Sequence, residues 1–116
     1  MLSKKYRFHS RGGVRYVYQN GKTIRTPNLS LVFAENTKGF TRFAVVVSKK
    51  IEKSAVKRNK IRRRFYEAIR LNIDKIPKKR DYIFVIYSKK MLEKTFSEIE
   101  QAVGELVEKS QVCYNK

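Results

Sequence analysis

Apolar positions along the chain switch between two periods, and the switches mark its elements. Val14, Val17 and Tyr18 recur at helical spacing and predict a short helix over residues 11–19, with Ser10 placed to cap it and Gly21 to stop it. Gly12 and Gly13 weaken that helix by about 1 kcal/mol each against Ala. A short strand is expected near Thr23–Arg25. Thr26-Pro27-Asn28 breaks the chain, and Leu29 to Ala34 then alternates: Leu29, Leu31 and Phe33 point one way, and Ser30, Val32 and Ala34 the other. Glu35 to Gly39 reads as a polar turn. Arg42 to Ser48 is β-rich and apolar on both faces, which predicts a central strand. A long helix is expected from Ser54–Val56 to about Asn72, with Pro77 beyond its end. Tyr82 to Tyr87 is a second buried strand. An amphipathic helix closes the pattern from Thr95, where Thr95 and Glu98 have capping-box spacing and Phe96, Ile99, Val103, Leu106 and Val107 form the stripe. The order of helix, two or three strands, helix, strand, helix predicts an α+β sandwich with helices mainly on one sheet face.

Charge changes the picture of the long helix. Ile61, Phe65, Ala68 and Ile69 make one apolar stripe. At about 100° per residue, Asn59, Arg63, Tyr66 and Arg70 are expected opposite it, with Arg62 and Arg64 on its flanks. Residues 49–64 hold nine Lys or Arg against one Glu, a net +8, whereas residues 91–108 carry a net −4. The whole chain of 116 residues is formally +18. Charge this one-sided attracts polyanions from a distance. Its uneven placement argues for a defined binding face. Nucleic acid is the leading partner and an anionic membrane surface the second. The basic helix lacks the Trp- or Leu-rich face that surface-inserting helices use. The length suits one domain, residues 1–116, which includes a basic, aromatic arm at residues 1–8. A lone cysteine, Cys113, forms no intramolecular disulfide. With no signal peptide or membrane-length apolar run, a cytoplasmic location is expected.

Candidate catalytic chemistry is sparse. The ten carboxylates are scattered, and no Gly-rich phosphate loop, HExxH or Ser-His-Asp spacing appears. His9 and Cys113 form no zinc pattern. A nuclease acting alone needs acidic residues for Mg2+ or a paired acid and base, and neither is visible. The basic run, by contrast, offers planar Arg forks for phosphates and, at Asn59, an amide that adds hydrogen-bonding geometry. Lys49, Lys50 and Lys53 extend this patch from the end of the strand. Residues 38–45 match only the start of the RNA-recognition-motif signature; Thr41 and Arg42 break it. If one sheet face is open, Tyr18 with the small residues Ala44 and Ser48 could floor a groove for unpaired bases.

Ser48-Lys49-Lys50, followed by Ala55-Val56-Lys57-Arg58-Asn59-Lys60-Ile61-Arg62-Arg63, closely resembles the signature of the bacterial ribonuclease P protein subunit. The element order and length fit that family as well. The resemblance implies an αβββαβα sandwich like the second domain of a small-subunit ribosomal protein. Its sheet would be mostly antiparallel, with one parallel pair joined through the basic helix by a left-handed crossover, against the usual right-handed rule. It implies a ribonucleoprotein that removes the 5′ leader of precursor tRNA, with the catalytic centre and its Mg2+ held by an RNA subunit and the substrate, and no catalytic or metal-binding residue in this chain. Apart from RNA the protein would be a monomer. Lys49, Lys53, Lys57, Arg58, Asn59, Lys60, Arg62 and Arg63 would bind the RNA subunit. Tyr18, Ser48, Lys50 and Tyr66 would bind the leader, in a cleft between the first helix and the open sheet face. Three positions depart from the family: Tyr66 in place of a common Arg, Gly13-Val14 in place of an acidic residue and Phe, and Val32 in place of a frequent Tyr. The alternative reading is a ribosomal-protein-like RNA-binding module with no enzymatic partnership.

Overall fold

The run from Tyr82 to Ile86 has no helical period and is apolar on both sides, so it needs cover above and below. In the computed structural model it lies in β4 (Arg80–Ile86), one of two inner strands of a four-stranded sheet. The structure describes residues 11–36, 41–76 and 80–114. The arm of residues 1–8, Ser10, most of the expected polar turn and Pro77 lie outside them, as do the side chains of Val14 and Cys113. Antiparallel to β4 runs β2 (Leu29–Glu35), which pairs on its other side with β1 (Lys22–Arg25). On the opposite side β3 (Arg42–Val47) pairs with β4 in parallel, giving the order β1-β2-β4-β3. The expected central strand at Arg42–Ser48 is therefore an edge strand. Its apolar character reflects cover on its faces, and burial of faces does not require a strand on each side. Phe43, Val45 and Val47 enter the larger core, Ala44 the smaller one, and Val46 stays 37% exposed.

The helices are α1 (Arg11–Asn20), α2 (Ala55–Leu71), a four-residue α3 (Lys89–Leu92) that the sequence pattern does not announce, and α4 (Phe96–Tyr114). α2 connects the parallel strands, so it is the crossover. Ser54 caps it, accepting from the Lys57 amide at 3.3 Å, and Asn72 closes it, its Nδ2 donating to the Ala68 carbonyl at 2.9 Å. Thr95 and Glu98 form the expected capping box of α4: the Thr95 amide donates to Glu98 Oε1 at 3.0 Å, and the Glu98 amide to Thr95 Oγ1 at 3.2 Å.

Alternation along the strands divides two clusters. Leu29, Leu31, Phe33, Phe43, Val45, Val47, Tyr82, Phe84 and Ile86 face the stripes of α2 and α4 in the larger one. There Tyr82 stacks between its register partners Phe33 and Phe43, with ring centroids 6.1 and 5.7 Å away. On the other face a smaller cluster joins Val32, Ala34, Ala44 and Ile83 to Val17 of α1. α1 ends hard against β2. The Gly21 amide donates to the Val17 carbonyl at 2.7 Å, and a Cβ on Gly21 would lie 2.5 Å from the Phe33 and Val17 oxygens. Close approach of backbone, then, requires glycine here. At the start of the parallel pair, Asp81 is 2% exposed and takes a two-pronged contact from Arg42 at 2.9 and 2.8 Å, plus Asn36 Nδ2 at 2.8 Å.

Candidate nucleic-acid interface

β3 ends at Val47, and the loop of residues 48–54 leads into α2. The loop between them is tied at each end. The Ile51 and Glu52 amides donate to the Ser48 carbonyl, both at 3.2 Å, and the Lys50 amide to Ser48 Oγ at 3.1 Å. Glu52, the one acid in the basic run, accepts the Ser54 amide through Oε1 at 3.1 Å. Arg58 reaches back from α2, its Nη1 donating to the Glu52 and Lys53 carbonyls at 2.9 Å each. Ile51 packs against the larger core and anchors the loop's middle. Lys49, Lys50 and Lys53 stay exposed around this framework.

On α2, Lys57, Asn59, Lys60 and Arg63 are exposed, and Arg58, Arg62 and Arg64 are half-buried. Arg62 Nη2 donates to Asn59 Oδ1 at 2.9 Å, so the amide orients a guanidinium. Among the described residues, none of Lys49, Lys50, Lys53, Lys57, Arg58, Lys60, Arg62 or Arg63 has a carboxylate ion-pair partner. The next turn is different. Arg70 Nε binds Glu67 at 2.9 Å, and Arg70 holds the Glu67 carboxyl down to about 2. The unneutralised surface thus covers the loop and the first half of α2.

Tyr66 does not belong to it. The expectation that it lies opposite the apolar stripe, free for a leader, is corrected: its side chain is 4% exposed and sits in the larger core. Tyr66 follows Phe65 by about 100° of helix turn, which is a flank and not the far side. α2 packs against both β3 and α4, and two neighbours bury a wider arc than one.

The second sheet face supplies a different surface. α1 covers β2 and β4 there through Val17. Ala44 is taken into that small cluster and does not form an open floor. The next row is open only in part: by register Val46 lies beside Val85, then Ser30, then Arg25, with Val46 and Arg25 exposed, Val85 half-buried and Ser30 buried. Tyr18 is 47% exposed, and partial burial raises its hydroxyl pKa. Ser48 is half-buried, its hydroxyl engaged by the Lys50 amide. Val32 is buried, so this departure from the family pattern is a core position here.

Three residues at this end escaped the sequence reading. Tyr87 keeps 41% exposure while its hydroxyl donates to the Thr26 carbonyl. Lys89 and Lys90 follow it, exposed, in a turn where the Lys90 amide donates to Ser88 Oγ at 3.3 Å. The signal was present: β3 and β4 are each followed by Ser-Lys-Lys, at Ser48 and at Ser88. Parallel pairing of Val47 with Ile86 brings both tripeptides to one end of the sheet. What could not be read from the chain was that the two strands are parallel neighbours.

Among the described residues no helix is long and apolar enough to cross a membrane, and no three His, Cys, Asp or Glu side chains come together as metal ligands. A match to the ribonuclease P family spans residues 2–111. The chain is 36% identical over 101 residues to the ribonuclease P protein component of Clostridioides difficile (strain 630), covering 84% of this chain and 85% of that one. It is 35% identical over 109 residues to that of Thermoanaerobacter sp. (strain X514), covering 94% and 87%. Among solved structures, the RNase P protein of Thermotoga maritima superposes with a TM-score of 0.80 at 24% identity, over 89% of this chain and 96% of that one. A mutant Staphylococcus aureus RNase P protein gives 0.82 at 22% identity, over 93% and 90%.

Proposed function

The chain belongs to the ribonuclease P protein family, and on that premise we propose that it docks on a catalytic RNA and guides the 5′ leader of precursor tRNA. One observation carries the reading. A basic surface with no carboxylate partner among the described residues, formed by the 48–54 loop and the first half of α2, borders a sheet face with exposed apolar and aromatic side chains. The two surfaces suit two kinds of RNA. Lys49, Lys53, Lys57, Lys60, Arg62 and Arg63, with Asn59 orienting Arg62, fit the closely spaced phosphates of a folded RNA. The face bearing Val46, Val85, Tyr18 and Tyr87 fits unpaired bases, which stack on aromatic and apolar surface. Ser48, Lys50, Lys89 and Lys90 stand at the end of the sheet, where a strand's backbone would run. In this reading the phosphodiester is hydrolysed at the RNA subunit, Mg2+ is held by that RNA and the substrate, and the protein contributes binding and orientation. The protein acts as a monomer apart from RNA, in the cytoplasm.

Reconstitution tests this. Added to a transcribed bacterial ribonuclease P RNA at low Mg2+, the protein is expected to raise the rate of leader removal from precursor tRNA. Tight, salt-dependent RNA binding with no gain in cleavage would instead identify an RNA-binding module without an enzymatic partnership.

A further inference from the structure

We infer that Arg58 is a positioning residue: it clamps the 48–54 loop and sets the place of Lys49, Lys50 and Lys53, and is not itself a phosphate contact. The inference rests on the reading that this surface binds RNA. Arg58 lies seven residues, about two turns, before Phe65, so it emerges on the core-facing side of α2. It is half-buried where Lys57, Asn59 and Lys60 beside it are exposed. Both hydrogens of one guanidinium nitrogen are engaged, since Nη1 lies 2.9 Å from two successive carbonyls, of Glu52 and Lys53.

Those carbonyls sit where the loop most needs holding. Lys49, Lys50 and Lys53 repel one another, and their repulsion favours an open loop. The remaining ties fix the loop's first turn to Ser48 and its exit through Glu52 and Ser54. Beside the packing of Ile51, the side chain of Arg58 supplies the hydrogen bonds that join the middle of the loop to the helix. A lysine there would keep the charge but lose the planar fork that meets two acceptors at once.

The test separates the two roles. In the free full-length chain, Arg58→Ala and Arg58→Lys are both expected to speed hydrogen exchange at the Ile51, Glu52 and Ser54 amides by about tenfold or more, with Ile61 to Ile69 unchanged. Binding to a transcribed bacterial ribonuclease P RNA is expected to weaken about tenfold in both. That loss is expected to disappear when Lys49, Lys50 and Lys53 are all Ala, because nothing remains to be positioned. If Arg58→Lys binds like the wild type while Arg58→Ala loses affinity and about one unit of salt slope, Arg58 is a phosphate contact and the inference fails. It fails equally if the loss persists in full without the three lysines. Should Arg58→Ala not fold, Arg58→Lys carries the comparison. Absence of RNA binding by the wild type overturns the functional reading instead, while exchange in the free protein still decides whether the clamp exists.

Discussion

On α2 a side chain's fate follows its angle around the helix and the number of neighbours, more than its polarity. Arg58 is cationic but turned toward the protein; Tyr66 carries a polar hydroxyl yet lies in the core. Tyr66→Ala is expected to cost about 3 kcal/mol or more in a urea titration, as removal of a buried ring does, with the salt slope of RNA binding unchanged. A lost leader contact would give the reverse, normal stability with weaker substrate binding. Periodicity made Ile61, Phe65, Ala68 and Ile69 legible as core because one stripe faces one partner. Tyr66 was not legible, since a second packing partner leaves no mark within the helix's own sequence. The same holds for Asp81. It is charged yet buried, and Arg42, which pairs with it, lies 39 residues away.

Elements were legible where their signals are local. Ser54 and Asn72 bound α2 as expected, and Thr95 with Glu98 opens α4. Hydrogen bonds from Thr95, with Lys94 adding its charge, lower the Glu98 pKa. A carboxylate more acidic in the folded state stabilises above its unfolded pKa, and that contribution fades as pH falls through the folded value. The stability gap between wild type and Glu98→Ala is therefore expected at neutral pH and should close in acid, a comparison that denaturant titrations at pH 7 and pH 3 would make. Strand order was not legible. A strand apolar on both faces reads the same at an edge as in the middle, and pairing between distant segments decides which it is. Gly21 lies between these cases. It follows the last residue of α1, as expected of a helix stop, and the demand on it comes from the Phe33 carbonyl of β2 as well as the Val17 carbonyl of the helix. Gly21→Ala is expected to destabilise by about 1–3 kcal/mol, measured by chemical denaturation, because the methyl would overlap two carbonyl oxygens.

At the scale of the whole molecule, the basic surface and the apolar core lie on different sides of α2. The basic surface begins where β3 leaves the sheet and runs along the exposed side of the first half of α2, so its side chains can be changed without touching the core. Arg62→Ala with Arg63→Ala is expected to lower the salt slope of RNA binding by about two while the melting temperature stays near wild type. A large fall in melting temperature with an unchanged slope would show that the facing of these residues is misassigned. The placement of α4 has a consequence for how the molecule is made. Ile99, Val103, Leu106 and Val107 close the larger core over Leu29, Leu31 and the inner side of α2. During synthesis the loop and the basic helix leave the ribosome well before those residues do. On the proposed function, until α4 arrives the helix is a charged segment with an uncovered apolar side, which would attract RNA but present no fixed surface to it, and recognition of one RNA among many would be acquired only once α4 is in place.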